Sequence, residues 1–241
     1  MLKSKIRTKQ QISQYMAELK AWICEQQDKP IEKMADFFAD RIDIYEDVHL
    51  GRWEQEYKHI ADYFDNNLGS LLDIGCGTGL ELNSIYNRFP KAKVTGIDLS
   101  DKMLEKLKRK FSDRDIKLVC CDYFEYPFES EYYDAALSFE TLHHFEYHKK
   151  QIIYNKLYSA LKPKGYYIEC DYIACCEQEE LICLEFYKNK RNKFSIPNDV
   201  FVHIDIPLTL DHQIELMKNA GFKDVRVLYE NCGTMIIRAN K

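Results

Sequence analysis

The sequence predicts an α/β fold on a doubly wound, mostly parallel sheet. Three observations carry that expectation. The apolar run Leu71-Leu72-Asp73-Ile74 contains an acid and leads into Gly75-Cys76-Gly77-Thr78-Gly79, with a helix-like segment behind it. About twenty residues later, Val94-Thr95-Gly96-Ile97-Asp98 is a second apolar run ending in an acid. From residue 70 to 171 short apolar runs alternate with helix-like segments, as crossover helices on a parallel sheet require.

The glycine turn is the most informative element. Glycine has no Cβ and tolerates positive φ, so backbone can approach a ligand closely there. The helix that follows leaves free N–H groups at its start. An acid at the end of the second strand can accept from both hydroxyls of a ribose. Together these predict a site for an adenosine-type cofactor.

The remaining elements follow in order. Residues 10–26 carry Ile12, Tyr15, Met16, Leu19, Trp22 and Ile23 on one helical face. Residues 31–45 suggest a short second helix, and Gly51 is expected to open a third, with Trp53, Tyr57, Ile60 and Phe64 on its apolar face. These helices precede the first strand and can form a cap over the cofactor crevice. Strands are expected near 70–74, 93–97, 116–121, 133–138 and 165–171, and helices near 78–88, 101–111 and 148–161. Asp73, Asp98, Asp122 and Ser138 then all fall at carboxyl ends of strands, the edge where open α/β sheets bind ligands. Residues 177–191 read as a charged helix, 194–207 as a loop with a short extended stretch, and 209–219 as a last helix with Gly221 as its C-cap. Phe222–Tyr229 and Cys232–Ala239 read as a hairpin joined by Glu230-Asn231.

The cofactor can be narrowed from the residues. A dinucleotide fingerprint asks for a third glycine at position 80, which is Leu80. Asp73 would repel a pyrophosphate and suit an ammonium group. S-adenosylmethionine carries an ammonium, a sulfonium and no phosphate.

The chain resembles the class I S-adenosylmethionine-dependent methyltransferases of the small-molecule type. Leu72 to Gly79 matches the first motif of that family. Gly96-Ile97-Asp98-Leu99-Ser100 with Met103-Leu104 matches the second, and Cys121-Asp122-Tyr123 with Pro127-Phe128 the third. Tyr133 to Ser138 with Leu142-His143-His144-Phe145, and Leu161-Lys162-Pro163-Lys164-Gly165, match the fourth strand with its loop and the turn before the fifth. The resemblance runs from about residue 36 onward. It implies a Rossmann-like sheet of seven strands, closed by a C-terminal antiparallel hairpin. The expected division is a helical cap over 1–68 and a cofactor-binding domain over 69–241, with an insertion at about 173–207.

The resemblance also implies roles. Gly75, Cys76 and Gly77 would offer backbone to the methionyl portion and ribose. Asp73 would face the ammonium, directly or through water. Asp98 would take the ribose hydroxyls, with Leu99 and Met103 packing the adenine. Asp122 would accept from the adenine amino group, flanked by Tyr123. Ser138 and Phe139 would present backbone beside the methionyl end.

Methyl transfer from a sulfonium is an in-line displacement with a neutral leaving group, so positioning and water exclusion carry much of the catalysis. A base is needed only if the acceptor atom is protonated. His143 and His144, after the fourth strand, are candidates for it. Tyr45 resembles a cap tyrosine that folds over the cofactor. Asp171, Tyr172 and His203 are candidates for acceptor recognition. No metal is assigned. Glu140, His144 and His148 stand at i, i+4 and i+8, but a loop over 140–145 would not align them on one helical face. Cys175, Cys176 and Cys183 could be thiol ligands for a soft acceptor such as arsenite, but their pattern is not that of the methyltransferases of this broad fold that act that way.

Composition bounds the rest. A chain of 241 residues holds one substantial core. With 34 Lys and Arg against 39 Asp and Glu, and no basic stripe, nucleic acid is not an expected partner. No run is apolar enough for a membrane span, and the N-terminus leads into no signal-like apolar segment. Nine cysteines, an odd number, several in apolar runs such as Cys120, Cys121 and Cys170, suit reduced thiols in the cytoplasm. The expected partner is a small-molecule acceptor, the expected product S-adenosylhomocysteine, and the expected assembly a monomer or homodimer. The alternative is a non-catalytic S-adenosylmethionine-binding partner or sensor module.

Overall fold

The structure, a computed structural model, describes residues 2–241. Its centre is a seven-stranded sheet in the order β3-β2-β1-β4-β5-β7-β6. Strands β1 (Ser70–Ile74), β2 (Lys93–Asp98), β3 (Ile116–Cys120), β4 (Tyr133–Phe139) and β5 (Leu161–Tyr172) are parallel. Strand β7 (Thr234–Asn240) runs antiparallel between β5 and β6 (Asp224–Asn231).

Alternation along the strands feeds a core on each face. Leu71, Ala135, Leu137 and Ile168 pack on one side with Leu82 and Ile85 of α4 (Leu80–Arg88) and Leu104 and Leu107 of α5 (Asp101–Lys110). Leu72, Ile74, Ala136 and Tyr167 pack on the other with Ile153 and Leu157 of α6 (Tyr147–Ala160) and Leu216 and Met217 of α8 (Leu210–Asn219). Both faces are covered, as a parallel sheet requires. The N-terminal helices α1 (Lys9–Gln26), α2 (Met34–Asp40) and α3 (Tyr45–His59) precede the sheet. A smaller cluster joins α1 to α7 (Glu177–Lys193) and the following segment through Ile23, Phe186, Val202 and Ile204.

Three local expectations are corrected. Gly51 does not open a helix: α3 begins at Tyr45 and passes through it, with non-helical backbone at Trp53 instead. The Trp53 indole is held there by donating to Thr234 Oγ1 at 2.9 Å. The hairpin turns at Cys232-Gly233, not Glu230-Asn231. Both turn residues have positive φ, +50° and +109°, as a two-residue turn matched to strand twist needs. Cys120 is exposed, because β3 is an edge strand, while Cys170 in the sheet interior is buried. All nine cysteines are free, and no described helix is long and apolar enough to cross a membrane.

Candidate active site

The glycine turn is tied down by the strand beside it. The N–H groups of Gly75 and Cys76 both donate to the Ile97 carbonyl, at 2.7 and 3.2 Å. Gly75, Gly77 and Gly79 all have positive φ. A Cβ on Gly75 would lie 2.5 Å from Thr141 Cγ2, on the loop after β4. Gly75→Ala is therefore expected to lose about 1–2 kcal/mol from backbone strain alone, more if Thr141 cannot move. It should also weaken cofactor binding. A thermal melt and a cofactor titration check this, and an unchanged melt would show that the turn accommodates a side chain.

Asp98 locks the same turn from β2. Its carboxylate accepts from the Gly77 N–H at 2.9 Å and the Ser100 N–H at 2.8 Å. Asp122, after β3, accepts from the Phe124 N–H at 2.8 Å. Burial raises the pKa of both acids, opposed by these N–H groups. A cleft of about 630 Å³, counting its open mouth, runs along this edge. Gly75, Gly77, Asp98, Leu99, Met103, Asp122, Tyr123 and Phe139 line it, and Met34, Phe38 and Tyr45 close it from the N-terminal helices. The Tyr45 hydroxyl lies 3.2 Å from where a Cβ on Gly77 would stand. Burial holds that phenol well above its ordinary pKa, so it stays protonated.

Three of the expected cofactor residues do not line the cleft. Cys76 is buried with Sγ packed against Gly96 of β2. Ser138 is fully buried, and its hydroxyl shares a 2.5 Å hydrogen bond with Tyr167. Asp73 is buried beside Glu81 of α4, and neither of its carboxylate oxygens reaches solvent. Burial and the neighbouring Glu81 raise its pKa well above the carboxylate range.

A second compartment joins the first. This chamber, about 1680 Å³ with its mouth, shares Phe38, Tyr45, Glu140 and His144 with the cleft. Leu19, Trp22, Val48 and Trp53 of the cap helices line it, together with Tyr172, His203 and Asp205. Three arginines, Arg7, Arg41 and Arg52, also face it, and Arg41 is paired with Glu32.

Asp171 was expected to face the acceptor. Instead it is buried and organises the loop after β4. It accepts from the N–H groups of Leu142 and His143, at 2.8 and 3.1 Å, and contacts His143 Nδ1. Burial favours a neutral His143 ring, but Asp171, with Asp205 and Glu140, outweighs it and pushes the pKa up to about 9. Burial and the charged His143 lower His144. Burial lowers His203 to about 3, and its ring stacks on Phe37 at 3.5 Å between centroids. Burial pushes Glu140 up to about 8, against the pull of His143.

Sequence reasoning missed Met34, Phe38, Thr141, Phe201 and Asp205, and weighed Glu140 only as a metal ligand. The cap and insertion residues carry no motif. Glu140 and Thr141 arrive in the cleft because Glu140 turns the chain with φ +48°, a conformation no residue pattern announces. His148 is exposed and stands apart from Glu140, so the i, i+4, i+8 set does not form. Cys175 and Cys176 lie 3.9 Å apart at Sγ beside Met16, without Cys183.

Comparison with known proteins shows a methyltransferase domain in this chain. The model of the methyltransferase domain family matches residues 71–165, the stretch that builds the cleft. The chain is 32% identical to a malonyl-[acyl-carrier protein] O-methyltransferase of Priestia megaterium over 165 residues, 68% of this chain and 59% of that one. The chain carries a class I S-adenosylmethionine-dependent methyltransferase domain over residues 71–165. It spans 59% of the length of that relative. A carboxy-S-adenosyl-L-methionine synthase of Nautilia profundicola is 25% identical over 219 residues, 83% of this chain and 92% of that one. A putative O-methyltransferase of Nostoc punctiforme has the same fold, with a TM-score of 0.68 at 18% identity, covering 95% of this chain and 68% of that one. The methyltransferase cofactor, S-adenosylmethionine, suits this cleft: it brings a ribose and an adenine to two strand-end carboxylates, Asp98 and Asp122.

Proposed function

We propose that the chain moves the methyl group of S-adenosylmethionine to an oxygen, nitrogen or sulfur of a small-molecule acceptor held in the chamber. The observation that carries this reading is the shared wall. Phe38, Tyr45, Glu140 and His144 border both compartments, so a donor in the cleft and an acceptor in the chamber meet there. The cap helices supply the chamber's apolar surface and can exclude water, which a displacement at a sulfonium methyl rewards.

In this reading Asp98 accepts from the ribose hydroxyls and Asp122 from the adenine amino group. Leu99, Met103 and Tyr123 pack the adenine. The Gly75 and Gly77 backbone approaches the methionyl portion, Phe139 flanks it, and Asp73 draws the ammonium from behind the turn. Cys76 and Ser138 act through their buried packing. Tyr45 donates a hydrogen bond from the cap. His143, held by Asp171, keeps its charge and orients the acceptor. His144 borders both compartments and stays neutral, so its ring is placed to take a proton from a hydroxyl, amine or thiol. Tyr172 and His203 shape the acceptor's surroundings. The O-methyltransferase named among the relatives favours an oxygen acceptor. Free cysteines throughout suit a reducing, cytoplasmic setting.

The test is transfer of labelled methyl from S-adenosylmethionine to a panel of hydroxyl, carboxylate, amine and thiol acceptors. Val48→Trp provides the structural control, since Val48 lines the chamber and not the cleft. It should raise the acceptor KM several-fold with cofactor affinity unchanged. Cofactor binding without turnover on any small acceptor class would sink the reading.

A further inference from the structure

The loop after β4 and the insertion after β5 meet at a group of side chains that cofactor binding does not use. His143, His144 and Asp205 bring three ligand atoms within 4.8 Å of one another. Asp205 Oδ1 lies 3.2 Å from His144 Nδ1 and 3.6 Å from His143 Nε2. A tetrahedral ion with ligands at about 2.0–2.1 Å separates them by about 3.3–3.4 Å. The two observed spacings bracket that value.

We propose that His143, His144 and Asp205 bind a divalent transition-metal ion of the zinc class, with an open coordination position facing the chamber. Four features support this. Two imidazoles and one carboxylate are a donor set for zinc, iron or nickel rather than for magnesium or calcium. His143 Nδ1 is held by Asp171, so its Nε2 points at the site with ring orientation fixed, the carboxylate–histidine arrangement that supports metal ligands. The carboxylates of Asp171 and Asp205 supply negative charge around the position. The two histidine side chains are 8% and 4% exposed while that of Asp205 is 48% exposed, so an ion has an entry path through the chamber.

Three protein ligands with one position left open are the pattern of a catalytic rather than a structural ion. Binding displaces a proton from His143 Nε2, while the Nδ1 proton stays on the hydrogen bond to Asp171. His144 Nδ1 also lies 3.3 Å from the Ile204 carbonyl, so the ion competes with a ring N–H donated to that oxygen. With the ion in place, His144 is a ligand. An acceptor hydroxyl on the open position would then be acidified by the ion and release its proton to water in the chamber instead of directly to the ring. That use of the ion rests on the methyl-transfer reading; binding of the ion does not.

The experiment is equilibrium dialysis of the metal-stripped full chain against Zn²⁺ with elemental analysis, Mg²⁺ as comparator, and Co²⁺ absorption to report coordination. One Zn²⁺ per chain is expected, with a tetrahedral-type Co²⁺ spectrum and weak Mg²⁺ binding. Asp205→Asn keeps the volume of a half-exposed side chain and should weaken Zn²⁺ binding at least tenfold. His144→Gln should do the same and alter the Co²⁺ spectrum. Asp171→Asn, acting as a positioning residue, should weaken it about 10–100-fold. Circular dichroism checks that each variant is folded. No Zn²⁺ retained by the wild type, equal retention by Asp205→Asn and His144→Gln, or Mg²⁺ binding as tight as Zn²⁺ would overturn the proposal. Dialysis needs no acceptor, so a failure here is separable from failure of the acceptor panel.

Discussion

Asp98→Ala is expected to weaken S-adenosylmethionine binding by about 100-fold or more. Two losses combine. A carboxylate taking two ribose hydroxyls makes charge-assisted hydrogen bonds worth about 1.5–3 kcal/mol each. The same carboxylate holds the turn in shape through the Gly77 and Ser100 N–H groups, so its removal also loosens the backbone the cofactor approaches. Asp98→Asn keeps one acceptor oxygen for the turn but loses the charge, and should fall between the two. Calorimetric titration with S-adenosylmethionine and S-adenosylhomocysteine gives the affinities, with NAD as comparator. NAD should not bind. Equal affinity for the wild type and Asp98→Ala would remove the ribose role altogether.

The second large effect concerns stability. Glu81, at the start of α4, is buried against Asp73, and one of its oxygens has no partner. Burial pushes its pKa up to about 7, moderated by its contact with Asp73. The unfolded chain releases that proton near 4.5, so the folded state binds more protons between 4.5 and 7. Stability is therefore lost as pH rises through that window, on the order of 3 kcal/mol for this group. Glu81→Gln has no proton to lose, and its amide can still donate to the neighbouring Asp73. The variant should melt about 5–10 °C higher than the wild type above pH 7. The gain should vanish below about pH 4. A variant that is less stable at every pH would show that Glu81 is ionised and satisfied in the folded protein. Saturating S-adenosylmethionine should narrow the gap, if its ammonium draws a charged Asp73.

Much of the fold was legible because its signals are local. Strand periodicity, the glycine turn and the acids at strand ends each depend on a few adjacent residues, and β1, β2 and β4 follow them closely. Asp98 and Asp122 were readable for the same reason: their place is set by strand length. Asp73 was readable as an acid at the right position, but not as an acid buried behind the turn, because its neighbour Glu81 belongs to the next helix. Gly51 misled because a lone glycine marks a break only when tertiary contacts allow one. Here the break falls at Trp53, whose indole reaches Thr234 on β7. The chamber was the least legible part. Asp205 meets His144 across 61 positions of chain, and no residue pattern in the insertion marks that meeting.

Strand β7 has a consequence for how the chain is made. β7 follows β6 in sequence, yet it lies between β5 and β6 and bonds to both. Until it emerges from the ribosome, β5 presents a bare hydrogen-bonding edge and β6 has no place to dock. Synthesis thus leaves most of the parallel sheet finished and unsealed, a state in which another nascent chain can pair with the open edge. The N-terminal segment waits as well, since Lys5 exchanges backbone hydrogen bonds with Glu230 and Cys232 of the finished hairpin. Yield in the cell should therefore depend on how fast β7 is delivered and how well a chaperone shields β5 meanwhile.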